Sequence, residues 1–405
     1  MEQRAYSRFR QLCKARVAKG HTEVRLLAMA RHDGPVSIDH VFALPVLDQF
    51  LIYAPLYDFA ALANRRAVEQ LPGLFQNDPS QATGSLAGIA GVLRSRPEPV
   101  PRPRTGRFSP RLLGLIPTRA CNLACEYCGF LAGDGGGQEM SRNLLRHTID
   151  WYLGLVQEGG SRSAEIHFFG GEPFCAEDVV EFACHYSRQR ASEVDCMVRF
   201  EVTTNGTMAE KRCRWVADNL DFVILSLDGP EDVQDRQRPR KDGGGSYSAV
   251  YRNAKVLSDG AARLSIRACV TDATVARMPE TAAWLCTEFR PVSVCFEPVQ
   301  PTPRSALVGL EPPDPWAFAR GMIRSAEILE SHGVEPVYTA ADIRTRRVTF
   351  CPVGRDVPIV VPDGSVSACY LLPGEWEAKG LDLRLGRVSD GDVTIDAEGV
   401  ARARE

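Results

Sequence analysis

The chain has 405 residues, 44% apolar and 24% charged, with a formal net charge of −3. That length allows two or three domains with proper cores, and the near-neutral balance speaks against nucleic acid or an anionic membrane as the main partner. No apolar run approaches the ~18 residues of a membrane span. The basic opening stretch, MEQRAYSRFRQLCKARVAKG, lacks the apolar core of a secretory signal. Thirteen cysteines, an odd number in a chain too large to need disulfide staples, point to a reducing cytoplasm with metal or cluster ligands.

Residues 1–93 read as a small α/β unit. Thr22–Ala28 and Asp48–Ala54 have the composition of short strands. Leu56–Leu71 carries Phe59, Leu62, Ala63, Val68 and Leu71 at helical spacing, and Pro72-Gly73 follows as an expected stop. Residues 94–110 form a linker in which Pro97, Pro99, Pro101 and Pro103 alternate with other residues, a pattern that favours extended polyproline II.

From residue 111 to 335 the pattern is strand, loop, helix, repeated. Strands are expected at Leu112–Ile116, Ala164–Phe169, Arg199–Thr204, Phe222–Leu227, Leu264–Val270 and Val292–Phe296. Helices are expected at Ser141–Gln157, Ala176–Gln189, Ala209–Asn219, Tyr247–Leu257, Pro279–Phe289 and Pro315–Ser331. Such alternation implies a parallel sheet with right-handed crossovers, and functional residues where strands end and loops begin. Residues 345–405 differ. Cys351 and Cys369 flank Val357–Val361 and the turn Pro362-Asp363-Gly364, which reads as a β-hairpin. The remainder, ending Val400-Ala401-Arg402-Ala403-Arg404-Glu405, shows no closing element and reads as cut short.

The chemistry centres on Cys121, Cys125 and Cys128, spaced C-x3-C-x2-C directly after the first strand of the repeat. Chance would produce that spacing roughly once in a hundred chains of this cysteine content, and three thiolates on one loop can hold three irons of a 4Fe-4S cluster. The fourth iron then has no protein ligand and can take a substrate or cofactor. Structural zinc would want a fourth Cys or His close by, and none lies near in sequence. Three later strand ends carry polar turns: Gly170-Gly171-Glu172-Pro173, Thr203-Thr204-Asn205-Gly206 and Ser226-Leu227-Asp228-Gly229. The two glycines permit close backbone approach, and Glu172 can accept hydrogen bonds from an ammonium. Asn-Gly and Asp-Gly are also ordinary turn residues. Arg238, in the loop after the fourth strand, can pair with a carboxylate or simply be solvated like Arg236 and Arg240. His167, Asp228 and Glu297 could handle a proton or merely line the sheet. The other cysteines read as small buried hydrophobes, with Cys175, just past the Gly-Gly-Glu-Pro turn, the exception to check.

CNLACEYC, GGEP, TTNG and SLDG, in that order on successive strands, resemble the radical S-adenosylmethionine superfamily over about residues 107–303. The resemblance implies a partial (β/α)6 TIM-like barrel in an α/β chain, with Cys121, Cys125 and Cys128 holding the cluster. It places Tyr127 near adenine, and Gly170, Gly171 and Glu172 at the methionine ammonium. Asn205, Ser226 and Arg238 become polar contacts to the ribose and carboxylate. Cys351 and Cys369 are similar to the start of a SPASM extension, here truncated, which implies ligands for an auxiliary 4Fe-4S cluster. Members with that extension modify peptides or proteins, including ribosomal natural-product precursors and sulfatases. The implied partners are thus a peptide or protein substrate and a low-potential electron donor of flavodoxin or ferredoxin type. Residues 1–93 weakly resemble leader-peptide docking modules, in which a peptide adds to a sheet edge. The rival readings are a sulfatase-maturing type oxidase and a non-catalytic iron–sulfur binding or regulatory protein.

Overall fold

The computed structural model describes residues 41–46, 49–54, 57, 59–76, 85–93, 105–130, 137–340, 355–389 and 391–404. The contacts divide the chain into two units, 1–102 and 103–405.

In the first unit, β1 (Phe42–Val46), β2 (Gln49–Ala54) and β3 (Phe59–Asn64) form an antiparallel meander. Helices α1 (Arg65–Gln76) and α2 (Ser85–Leu93) follow. Ile52 and Ala54 of β2 pack with Ala63, Ala67, Val68 and Ile89 in a small core. The helix expected over Leu56–Leu71 is corrected here. Phe59–Asn64 pairs along its whole length with β2, from Phe59 opposite Ala54 to Asn64 opposite Gln49. Its apolar residues suit either period, and pairing across β2 decides between them. The helix starts where Asn64 accepts a hydrogen bond from the Ala67 N–H at 2.8 Å, a capping arrangement. It runs through Pro72-Gly73 to Gln76 rather than stopping there. The expected strand Thr22–Ala28 lies outside the described residues.

The second unit is built on a sheet of eleven strands in the order β10-β9-β8-β7-β6-β5-β4-β11-β12-β13-β14. Its parallel part comprises β4 (Leu112–Leu115), β5 (Ser163–Phe168), β6 (Met197–Thr204), β7 (Phe222–Ser226), β8 (Arg263–Val270), β9 (Ser293–Pro298) and β10 (Glu335–Val337). Between them lie α3 (Arg142–Glu158), α4 (Glu177–Glu193), α5 (Glu210–Asn219), α6 (Glu231–Gln237), α7 (Tyr247–Asp259), α8 (Met278–Glu288), α9 (Pro303–Leu307) and α10 (Pro315–Ser331). This is the largely parallel α/β architecture of a partial barrel. Strand alternation sorts the faces. Leu113, Leu115, Ile166, Phe168, Val202, Leu225, Ile266, Val294 and Phe296 are buried in one continuous core with the helices. The intervening residues face the other, concave side.

The C-terminal segment continues the same sheet. β11 (Ile359–Val360) lies parallel to β4 and antiparallel to β12 (Ser365–Ser367), the expected hairpin. Then come α11 (Pro373–Glu377), β13 (Arg384–Ser389), β14 (Asp392–Ile395) and α12 (Ala397–Arg404). The run Ala397–Arg404, for which the sequence suggested no element, is helical. Arg404 grips buried Asp356 through two nitrogens at 2.7 Å, and also donates to the Gly106 carbonyl at 2.8 Å. Paired forks of this kind hold geometry as well as charge.

Candidate functional site

The cysteine loop leaves the end of β4 and is braced from two sides. On one side stands the turn after β5. Gly170 has φ of +130°, a conformation glycine takes freely. A Cβ on Gly171 would lie 2.2 Å from the Ala120 carbonyl oxygen and 2.5 Å from that of Arg119. The two backbones therefore touch just before Cys121, and the Glu172 N–H donates to the Ala120 carbonyl at 2.8 Å. The Glu172 carboxylate is buried and accepts from the Asn205 N–H at 2.6 Å, the Thr204 hydroxyl at 2.7 Å and the Phe174 N–H at 3.1 Å. Three donors leave one of about four acceptor positions. Burial, only partly offset by these bonds, pushes its pKa up to about 7. The Asn205 amide nitrogen sits 2.8 Å from Asn122 Oδ1 and 3.7 Å from Cys121 Sγ. Asn205 thus joins the end of β6 to the first cysteine.

On the other side the brace is charged. Asp228, after β7, has its side chain wholly buried, with Oδ2 3.1 Å from Arg238 Nε. The same oxygen accepts from the Tyr127 hydroxyl at 2.5 Å and from Gln237 Nε2 at 2.8 Å, while Oδ1 accepts from the Cys269 N–H at 2.9 Å. The Arg238 guanidinium lies over the Tyr127 ring, 5.2 Å from its centroid. One of its nitrogens is 4.0 Å from Cys125 Sγ. Backbone bonds from Ala124 N–H to the Pro239 carbonyl (2.8 Å) and from Glu126 N–H to the Gln237 carbonyl (3.0 Å) seat the loop on this segment.

Do the three thiols suit a cluster? None is in a disulfide, and Cys121 with Cys125, and Cys125 with Cys128, lie close enough to feel each other's charge. Among the described residues no group of three His, Cys, Asp or Glu side chains is close enough to hold a single metal ion. Burial pushes Cys121 up to about 12 and Cys125 to about 11, with Arg238 pulling Cys125 back. Thiolate there needs nearby positive charge, which bound iron would provide. Hydrogen-bond donors already point at the sulfurs: Leu123 N–H at 3.4 Å and Asn205 on Cys121, and Arg238 on Cys125. The residues fit such a group.

Other expected residues fall as follows. Ser226 ends β7, largely buried, and its hydroxyl makes no hydrogen bond among the described residues. Cys175 lies within electrostatic reach of Cys121, and burial raises its pKa. His167 faces the concave side, with Nδ1 2.9 Å from the Tyr370 hydroxyl and Nε2 3.0 Å from the Thr203 hydroxyl. Burial lowers its pKa to about 4. Glu297 accepts from Cys295 Sγ at 3.3 Å and from the Thr339 N–H at 3.1 Å. Cys369 is half-buried after β12; Cys351 lies outside the described residues. Tyr370 is the residue sequence reasoning missed. It reaches the concave side from the hairpin, its ring tilted against Phe169 with centroids 4.9 Å apart, and Phe169 in turn meets Phe130 at 5.5 Å. Its only signal was its place beside Cys369.

Residues 115–282 match the family model described as Radical SAM superfamily. Among curated proteins, the chain is 26% identical over 191 residues to an uncharacterized protein of Methanocaldococcus jannaschii, covering 47% of this chain and 63% of that one. It is 30% identical over 139 residues to the serine-type anaerobic sulfatase-maturating enzyme of Klebsiella aerogenes, covering 34% of each. The chain thus spans less than two thirds of either relative. Among solved structures, "anSMEcpe with bound AdoMet" matches with a TM-score of 0.56 at 20% identity, covering 72% of this chain and 77% of that one.

Proposed function

We propose, from the match of residues 115–282 to the Radical SAM superfamily model, that this protein reductively cleaves S-adenosylmethionine and takes a hydrogen atom from a peptide substrate, as in ribosomal peptide maturation. The observation that carries the reading is the double brace: a loop with three free thiols, held by the Gly170-Gly171 backbone on one side and by Asp228–Arg238 on the other. Cys121, Cys125 and Cys128 would hold a 4Fe-4S cluster. When bound, it would supply the electron that splits the sulfonium and so yields a 5′-deoxyadenosyl radical; the cofactor carries the hard chemistry.

The protein's own residues orient and enclose. Arg238 sets a positive charge against Cys125 and fixes the Tyr127 ring, which would flank the adenine. The unpartnered Ser226 hydroxyl would meet the ribose. The remaining acceptor position of Glu172, and the Gly170-Gly171 carbonyls, would meet the methionine ammonium. A low-potential flavodoxin- or ferredoxin-type donor would reduce the cluster. Residues 1–93 would serve as a docking module. A peptide adding as a strand would use an edge, β1 or β3, because β2 is paired on both sides.

The relatives named sulfatase-maturating enzymes favour a second reading, in which the substrate is a sulfatase segment. A solved structure of similar fold holds a peptide, "anSMEcpe with bound AdoMet and Cp18Cys peptide", and either substrate would be of that class. The test is anaerobic reconstitution, then dithionite and S-adenosylmethionine, with 5′-deoxyadenosine as the product sought. Its absence from a fully loaded protein would refute the radical reading. Faster turnover with a sulfatase-derived peptide than with precursor peptides encoded beside the gene would favour the second.

A further inference from the structure

The register of the sheet sets one row of residues at its rim. Thr204 pairs with Leu225, so Asn205 and Ser226, one position on, come level. Ser226 pairs with Arg267, and Arg267 pairs with Cys295. These side chains share the concave face, since their neighbours Leu225, Ile266 and Val294 are fully buried against the helices. One step below in the same face, the Ser265 and Ser293 hydroxyls bond at 2.8 Å. One step above Arg267 stands Cys269, which touches Arg238 at 3.9 Å. Arg267 therefore sits in the row that ends at the turns bracing the cysteine loop.

Arg267 is exposed on that face. Among the described residues the Arg267 side chain makes no hydrogen bond or ion pair. The two acids nearest in register are committed elsewhere: Asp228 to Arg238, Tyr127, Gln237 and the Cys269 N–H, and Glu297 to Cys295 and the Thr339 N–H. Yet the guanidinium lies near enough to influence both the Cys269 and Cys295 thiols, which places it over the concave floor. A guanidinium presents a planar fork of donors that matches a carboxylate, and is less strongly hydrated than an ammonium.

We propose that Arg267 is a carboxylate-binding subsite for the substrate, anchoring an acidic side chain of the peptide beside the reacting residue. The inference rests on the peptide reading above and adds the substrate's chemistry. The same chemistry exists in the methionyl carboxylate of S-adenosylmethionine, so the experiment separates the two sources.

Cluster-loaded full-length protein with S-adenosylmethionine is exposed to two pools of N-acetylated, C-amidated octapeptides. The pools are identical except for a fixed central Asp or a fixed central Asn, and retained peptides are quantified by mass spectrometry. The wild type should retain the Asp pool about tenfold better, the size of one charge-assisted contact. Arg267→Gln should abolish the preference, and Arg267→Lys, the second variant, should keep part of it. Equal retention of both pools by the wild type, or an undiminished preference in Arg267→Gln, would overturn the subsite. A roughly tenfold loss of affinity for S-adenosylmethionine alone in Arg267→Gln would assign the arginine to the cofactor and overturn it too. If the wild type makes no 5′-deoxyadenosine but still prefers the Asp pool, the radical reading fails and the subsite stands.

Discussion

Two buried carboxylates back the cysteine loop, and they do so by different physics. Glu172 is held by neutral donors, two backbone N–H groups and a hydroxyl, and burial raises its pKa to about 7. Asp228 is equally buried but faces a guanidinium. The first side holds the loop by contact distance, with Gly171 against the Ala120 carbonyl. The second holds it by charge, with Arg238 reaching Cys125. A loop that must carry a charged group while sitting beside a polar cofactor is served by one rigid wall and one charged wall.

The contrast can be broken most severely on the charged side. Asp228→Asn leaves Arg238 buried without its counter-ion and should cost about 3–5 kcal/mol of stability, read by urea unfolding at neutral pH. A loss below about 1 kcal/mol would show that charge does not organise that wall. The neutral side should reveal itself through pH. His167, on β5 below the Gly-Gly turn, has its pKa lowered to about 4 by burial, against roughly 6.5 when unfolded. Its contribution is present above pH ~6.5 and lost as pH falls through its folded pKa, roughly 3 kcal/mol in all. Comparing unfolding free energies across that window, His167→Gln should flatten this part of the slope; an unchanged slope would contradict the assignment. Smaller still, Gly171→Ala should cost about 1–3 kcal/mol as the two backbones are forced apart. Iron loading should fall with it, and full loading at unchanged stability would remove the close-approach argument.

Much of the second unit was legible because its strands alternate and its helices carry clear periods. Pro315–Ser331 matches to the residue, and the six expected βα units all appear within a few positions. The cysteine loop was legible from spacing alone. The strand Phe59–Asn64 was not, because FAALAN is apolar at both periods and only its pairing with β2 distinguishes them. Nor could one chain position foretell that Arg238 would find Asp228, ten residues away across helix α6, or that Tyr370 would hydrogen-bond to His167, 203 residues earlier. Such pairings arise from sheet register, which no local pattern encodes. Helix α12 was missed for the same reason: Arg404 gains its meaning from Asp356.

The central claim is that Cys121, Cys125 and Cys128 hold a cluster with one iron left open. Iron and sulfide should be counted after anaerobic reconstitution of the wild type and of a variant with all three cysteines changed to Ala. The reduced proteins should then be examined by EPR with and without S-adenosylmethionine. The variant should fall short by about four irons and four sulfides per chain, and S-adenosylmethionine should alter the signal of the wild type alone. Equal iron content in the two proteins would contradict it.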